Sequence, residues 1–238
     1  MKVNEIFGST IQGEGRSTGM RTMFLRLSDC NLACIWCDTP QTWNWLGTKF
    51  KHPEKYNHRK EIHEVSCDEI IGVLKEKGPQ IRSLVISGGE PMLQQGEIIE
   101  LLRLLKKDGY WVEIETNGTI EPKDEFLELI DQINCSPKTS NSGPDNRPKM
   151  RERPKALQKL ASSSKTFFKF VVSNESDLVE IKGLISKYNM KNVYLMAEGS
   201  TREEQVGLGK EVLQMCRENN FNFSPRLHVL YWDRARGV

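Results

Sequence analysis

Apolar positions in this chain recur with two periods, and the two take turns. Short apolar runs of the buried-strand kind stand at Thr22–Leu27, Ser83–Ser87, Trp111–Glu115, Phe167–Val172 and Val193–Met196. Between them lie segments whose apolar residues return every three or four positions. These predict helices over Asp68–Lys77, Gly96–Lys107, Lys123–Ile130, Asp177–Tyr188 and from Arg202 to about Glu218. In the second of these, Ile98, Leu101, Leu102 and Leu105 share one face. The pairs Ser66/Glu69 and Thr201/Glu204 read as capping boxes, and Gly78-Pro79 and Gly109 as stops. The apolar run Leu227–Trp232 reads as a last strand. Strand followed by helix, repeated without an internal repeat, predicts an α/β fold with a parallel sheet, open or partly closed as a barrel. In such sheets ligands sit beyond the carboxyl ends of the strands.

Two segments break the alternation. Residues 40–65 are polar and aromatic, with Trp43, Trp45, His52, His58 and His63. Residues 139–165 are basic, with Arg147, Lys149, Arg151, Arg153 and Lys155. Both read as solvated loops inserted into one domain spanning 1–238, the second as a linker with room to move. Composition narrows the setting. A net charge of +2 over 238 residues gives no pull toward nucleic acid or membrane. No apolar run reaches the length of a membrane span, and the start MKVNEIFGST lacks a secretory core. A cytoplasmic protein without direct nucleic-acid contact is the expectation.

The cysteines sharpen it. Cys67, Cys135 and Cys216 are scattered and read as small buried hydrophobes. Cys30, Cys34 and Cys37 stand in C-x3-C-x2-C spacing just after the first strand. Zinc normally takes four protein ligands, which one of the lone cysteines or His52, His58 or His63 would have to complete. A 4Fe–4S cluster normally takes four thiolates, so three leave one iron open to a substrate. The other loops after strands carry Gly88-Gly89-Glu90-Pro91, Glu115-Thr116-Asn117 and Ser136-Pro137-Lys138.

The cysteine spacing followed one strand later by GGEP resembles the radical S-adenosylmethionine superfamily. The opening Ile6–Gly15 (IFGSTIQGEG), Arg26, Cys37-Asp38-Thr39 and the closing RLHVL and RGV segments resemble, more narrowly, the 7-carboxy-7-deazaguanine synthases. A glycyl-radical activase would share the cysteines but would not need IQGEG or RGV.

The resemblance implies a partial, modified TIM-type barrel with a 4Fe–4S cluster on Cys30, Cys34 and Cys37 at the C-terminal rim of the strands. It implies S-adenosyl-L-methionine as a regenerated cofactor, bound by Trp36, Cys37, Asp38, Gly89, Glu90, Ser136, Pro137 and Lys138, with Mg2+ at Thr39. The substrate implied is 6-carboxy-5,6,7,8-tetrahydropterin, held by Ile11, Gln12, Gly13, Glu14, Arg26, Ser87, His228 and the carboxylate of Val238. No side chain is expected to be the catalyst, since a 5′-deoxyadenosyl radical does the chemistry. The reaction is a ring contraction that releases ammonia, on the route to queuosine and other 7-deazapurines. Implied partners are an electron donor such as a flavodoxin or ferredoxin, and a second copy in a homodimer.

Overall fold

The computed structural model describes residues 1–47 and 54–238. Among them, β1 (Lys2–Ile11), β2 (Arg21–Leu27), β3 (His63–Glu64), β4 (Ser83–Gly88), β5 (Trp111–Thr116), β6 (Gln132–Cys135), β7 (Thr166–Val172), β8 (Val193–Ala197) and β9 (Asn222–Phe223) form one 9-stranded sheet. Its order is β3-β1-β2-β4-β5-β6-β7-β8-β9. From β2 to β9 every neighbour is parallel, while β1 is antiparallel to β2 and to β3. The two end strands do not pair, so the sheet is an open, partial barrel.

Helices α2 (Cys67–Lys77), α3 (Gln95–Lys107), α4 (Asp124–Leu129), α6 (Pro154–Ser162), α7 (Asp177–Tyr188) and α8 (Arg202–Asn219) join successive parallel strands. Both expected capping boxes are present, Ser66 with Glu69 and Thr201 with Glu204. Gly109 follows the end of α3 with φ +73°, a backbone that glycine adopts freely. On α3, Ile98, Leu101, Leu102 and Leu105 are fully buried. They join strand residues such as Leu25, Ile86 and Ile114 in one core. Each such side chain contributes roughly 1.5–3 kcal/mol through burial.

Three elements differ from the sequence reading. Leu227–Trp232 is a helix, α9, rather than a last strand. The run LHVLYW carries neither period. Instead Leu230 N–H bonds Arg226 O at 3.0 Å and Asp233 N–H bonds Val229 O at 3.0 Å.

The segment 139–165 is not a solvated, mobile linker. It holds a 3-10 turn at Ser140–Ser142, α5 (Pro148–Arg151) and α6. Ala156, Leu157 and Leu160 are buried, and Arg151 pairs with Glu180 at 2.8 Å. Its many charges masked an amphipathic helix.

The described part of 40–65 is likewise structured. Pro40–Thr42 form a buried 3-10 turn, α1 spans His58–Glu61, and β3 follows. His52 lies outside the described residues. No helix among the described residues is long and apolar enough to cross a membrane.

Candidate active site

A cavity of about 690 Å3 opens over the carboxyl ends of the parallel strands. Cys30, Cys34 and Cys37 from the loop after β2 line it. So do Ser87 and Gly89 at the end of β4, Glu115–Asn117 at the end of β5, and Ser136 and Lys138 after β6. Parallel strands deliver these loops to one rim.

The loop after β1 arrives differently. Ile11 stands opposite Arg21, the first residue of β2, so this loop leaves from the far end of β2. It crosses the sheet face that carries Glu113, Asn134 and Lys169. Gln12 Nε2 bonds Glu113, Glu14 pairs with Lys169 of β7, and Gly15 N–H donates to Ser224 Oγ at 2.8 Å. Gly13 permits the crossing, since a Cβ there would lie 2.6 Å from His228 Nδ1.

The cysteine loop is held at both ends. Glu90 N–H donates to Asp29 O at 2.8 Å, and a Cβ on Gly89 would lie 2.0 Å from that same oxygen. Only glycine fits there. Ile35 N–H donates to Ser142 O at 3.0 Å and Trp36 Nε1 to Asn141 O at 3.0 Å. All three thiols are free. Burial pushes Cys30 and Cys37 up and Cys34 up to about 11. Thiolates this enclosed need a cation for company, and an iron–sulfur cluster supplies one. His58 stacks edge-on against Trp45 and His63 lies on β3, and neither lines the cavity. Cys135 sits under Gly118, and Cys216 Sγ faces Asn222 O at 3.3 Å. The three cysteines, with no fourth cysteine or histidine among the described residues lining the cavity beside them except His228 of the charged knot, fit a cluster with one open iron.

The same cavity holds a charged knot that starts at Asp38, beside Cys37. Arg226 donates from Nε to Glu14 at 2.9 Å, and its other nitrogens reach Asp38 and Gly199 O. Lys169 pairs with Glu14 and stands 3.8 Å from Glu115. His228 Nε2 stands 3.7 Å from Glu14 and 3.9 Å from Asp38. Burial alone would raise Glu14, but Lys169 and Arg226 overcome it and hold the carboxyl at about 2. Enclosure also works against charge on Asp38, and Arg226 reverses it, keeping Asp38 well below the usual carboxylate range. Below this knot, Glu113 accepts from Gln12, Ser17 and Gln132. Burial still pushes Glu113 up to about 7.

Of the residues expected from sequence, Ile11, Gln12, Gly13, Glu14, Arg26, Trp36, Asp38, Thr39, Ser87, Gly89, Ser136, Lys138 and His228 line the cavity with the cysteines. Glu90 does not. It is fully buried, and its carboxylate accepts from Met92 N, Thr116 Oγ1 and Asn117 N, so it braces the β5 loop from behind. Pro137 and Val238 are also outside the lining, although Ala235 and Arg236 reach its edge. Sequence reasoning missed Lys169, Arg226 and Glu113. A charged residue inside the apolar runs FFKFVV and WVEIET was the available signal, because a buried strand tolerates a charge only with a partner.

Residues 26–169 match the Radical SAM superfamily. The chain is 30% identical to the 7-carboxy-7-deazaguanine synthase of Pyrobaculum aerophilum over 100% of this chain and 97% of that protein. It is 32% identical to the synthase of Bacillus subtilis, covering 99% and 98% of the two chains. The crystal structure of QueE from Escherichia coli overlays with a TM-score of 0.70 at 24% identity, over 94% of this chain and 92% of that one, which supports the fold. Full-length similarity of this degree, with the cysteine loop and charged knot facing one cavity, places the chain in the 7-carboxy-7-deazaguanine synthase family of the radical S-adenosylmethionine superfamily.

Proposed function

We propose that this chain forms 7-carboxy-7-deazaguanine from 6-carboxy-5,6,7,8-tetrahydropterin with release of ammonia, a carbon–nitrogen lyase reaction in 7-deazapurine biosynthesis. One observation carries the reading: a three-cysteine loop and a carboxylate- and cation-rich knot line one cavity of about 690 Å3. That volume suits a cofactor and a small heterocycle together.

Cys30, Cys34 and Cys37 would hold the 4Fe–4S cluster. When bound, the cluster supplies one electron to S-adenosyl-L-methionine, which in turn supplies the hydrogen-abstracting radical. Trp36, Asp38, Gly89, Ser136 and Lys138 would hold the cofactor; Lys138 Nζ lies 5.2 Å from the Trp36 ring centre. Glu115, Thr116 and Asn117 flank them. The Glu90 carboxylate braces the Thr116–Asn117 turn from behind.

The substrate end is built for a charged heterocycle. Arg26 is steadied by Glu5 at 2.7 Å and lies over the Phe7 ring at 5.4 Å. Its guanidinium fork suits the substrate carboxylate. Gln12 and Glu14 are set by their buried partners to read the pterin amide and amine. Ser87 donates to Glu115 at 2.8 Å and keeps a hydroxyl oxygen at the cavity wall. His228 and Asp38 close the other side. Thr39, with Oγ1 3.6 Å from Cys37 Sγ, is our choice for magnesium, completed by substrate oxygens. Lys169 and Arg226 already neutralise Glu14 and Asp38, which argues against a cation held by those carboxylates alone.

The family resemblance also supports a flavodoxin- or ferredoxin-like donor, a homodimer and a cytoplasmic setting. The test is anaerobic reconstitution with iron and sulfide. Addition of S-adenosylmethionine, dithionite, magnesium and 6-carboxytetrahydropterin should yield 7-carboxy-7-deazaguanine by mass spectrometry, without stoichiometric loss of S-adenosylmethionine. A loaded protein that makes only 5′-deoxyadenosine would reject this substrate.

A further inference from the structure

The cysteine loop packs against both segments that interrupt the strand–helix alternation, and each gives it one side-chain N–H. Trp43, just after the buried turn Pro40–Thr42, donates from Nε1 to Cys37 Sγ at 3.3 Å. Asn146, in the turn before α5, donates from Nδ2 to Cys34 Sγ at 3.3 Å.

These contacts are built. Asn146 is 2% exposed. Its Oδ1 accepts Ala33 N–H at 2.9 Å, which fixes the amide orientation and turns Nδ2 toward the sulfur. Nδ2 also reaches Ser142 O at 3.3 Å, the residue that anchors Ile35. Trp43 is set by its own N–H to Pro40 O at 3.2 Å. Indole and amide N–H groups are donors without a competing role at those atoms.

A hydrogen bond to a ligand sulfur draws electron density off it. The reduced cluster carries one more negative charge on its iron and sulfur atoms, so such a bond favours the reduced form. In the one-electron reduction the electron comes from the external donor and resides on the cluster. No other bond forms or breaks.

We infer that Trp43 and Asn146 set the reduction potential of the bound cluster, each through an N–H···S bond to one of its three thiolates. The inference rests on the reading of the cysteines as cluster ligands. It gives residues 40–47 and 139–146 a role as the outer wall of the cluster. The two donors act on different sulfurs of one cluster, so both shift its potential in the same direction.

The test is an anaerobic redox titration followed by electron paramagnetic resonance, without S-adenosylmethionine. It compares wild type, Trp43→Phe, Asn146→Leu and the double variant, each normalised to iron and sulfide content. Each single variant should have a more negative midpoint potential than wild type, and the double variant a more negative one than either single variant. Equal potentials at equal cluster content would overturn the inference. A second measurement does not depend on any variant loading. Electron–nuclear double resonance of the reduced wild type should show proton couplings that disappear after exchange into deuterated water. A spectrum with no exchangeable couplings would overturn the inference as well. Failure of wild type to take up any cluster would instead overturn the reading of the cysteines.

Discussion

Arg226 Nε donates to Glu14 Oε1 at 2.9 Å, a bond between residues 212 positions apart. It ties the residue before the last helix to the loop after the first strand. The side chains are only 6% and 11% exposed. The same guanidinium reaches Asp38 beside the cysteines. One cation therefore braces the substrate side and the cluster side of the cavity together.

Removing that cation strands the charge of buried Glu14. Arg226→Met should lower stability by about 3–5 kcal/mol, measured by urea denaturation. If the fold survives, the KM for the pterin should rise, because Glu14 and Asp38 lose their fixed positions. Unchanged stability would mean that Lys169 alone neutralises the knot.

The cysteines divide by role. Cys34→Ala removes a ligand from the loop lining the cavity and should bring iron per chain down to background, with loss of product. Cys135→Ala should retain full iron content, because Cys135 is fully buried on β6 under Gly118. Iron and sulfide assays after reconstitution separate the two. Loss of iron in Cys135→Ala would introduce a fourth ligand and close the open coordination site.

Much of this was legible before the structure. Ser66/Glu69 and Thr201/Glu204 are local signals, and each cap forms where its spacing places it. Cys30, Cys34 and Cys37 are close in sequence, so their convergence needed no fold. Lys169, Arg226 and Glu113 are different. Their main partners, Glu14 and Gln12, lie far away in sequence, and only the crossing of Gln12–Gly15 over the sheet brings them together. Leu227–Trp232 failed for another reason, since an unbroken apolar run has no period to read. In residues 154–162, lysines flanking Leu157 and Leu160 concealed a buried face.

The tail borders the cavity through Asp233–Arg236. Arg236 Nη2 bonds Glu61 at 3.0 Å and Arg234 Nε bonds Ser200 at 3.1 Å. A Cβ on Gly237 would lie 3.9 Å from Glu5, the partner of Arg26. Extending the chain past Val238 with a tag should lower kcat/KM at least several-fold, with little change in melting temperature. Cleaving the tag should restore it. An unaffected tagged enzyme would show that the tail is not needed at the substrate carboxylate.

Glu113 makes stability depend on pH in a direction opposite to Glu14. It is fully buried and accepts three hydrogen bonds, yet burial pushes it up to about 7 from an unfolded value of 4.5. A folded value above the unfolded one means that the native state holds the extra proton. Its contribution is fully present below pH 4.5 and is lost as pH rises through about 7. The loss is about 3 kcal/mol across that window. Glu14, held at about 2, contributes above pH 4.5 and fades only as pH falls toward that value. Glu113→Gln keeps an oxygen for Gln12 and cannot ionise. Stability measured by urea denaturation from pH 5 to 8 should therefore fall less steeply in this variant than in wild type. The gap between the two curves should widen toward pH 8. Parallel curves would mean that Glu113 is already charged in the native state at pH 5, held there by Ser17, Gln132 and Gln12.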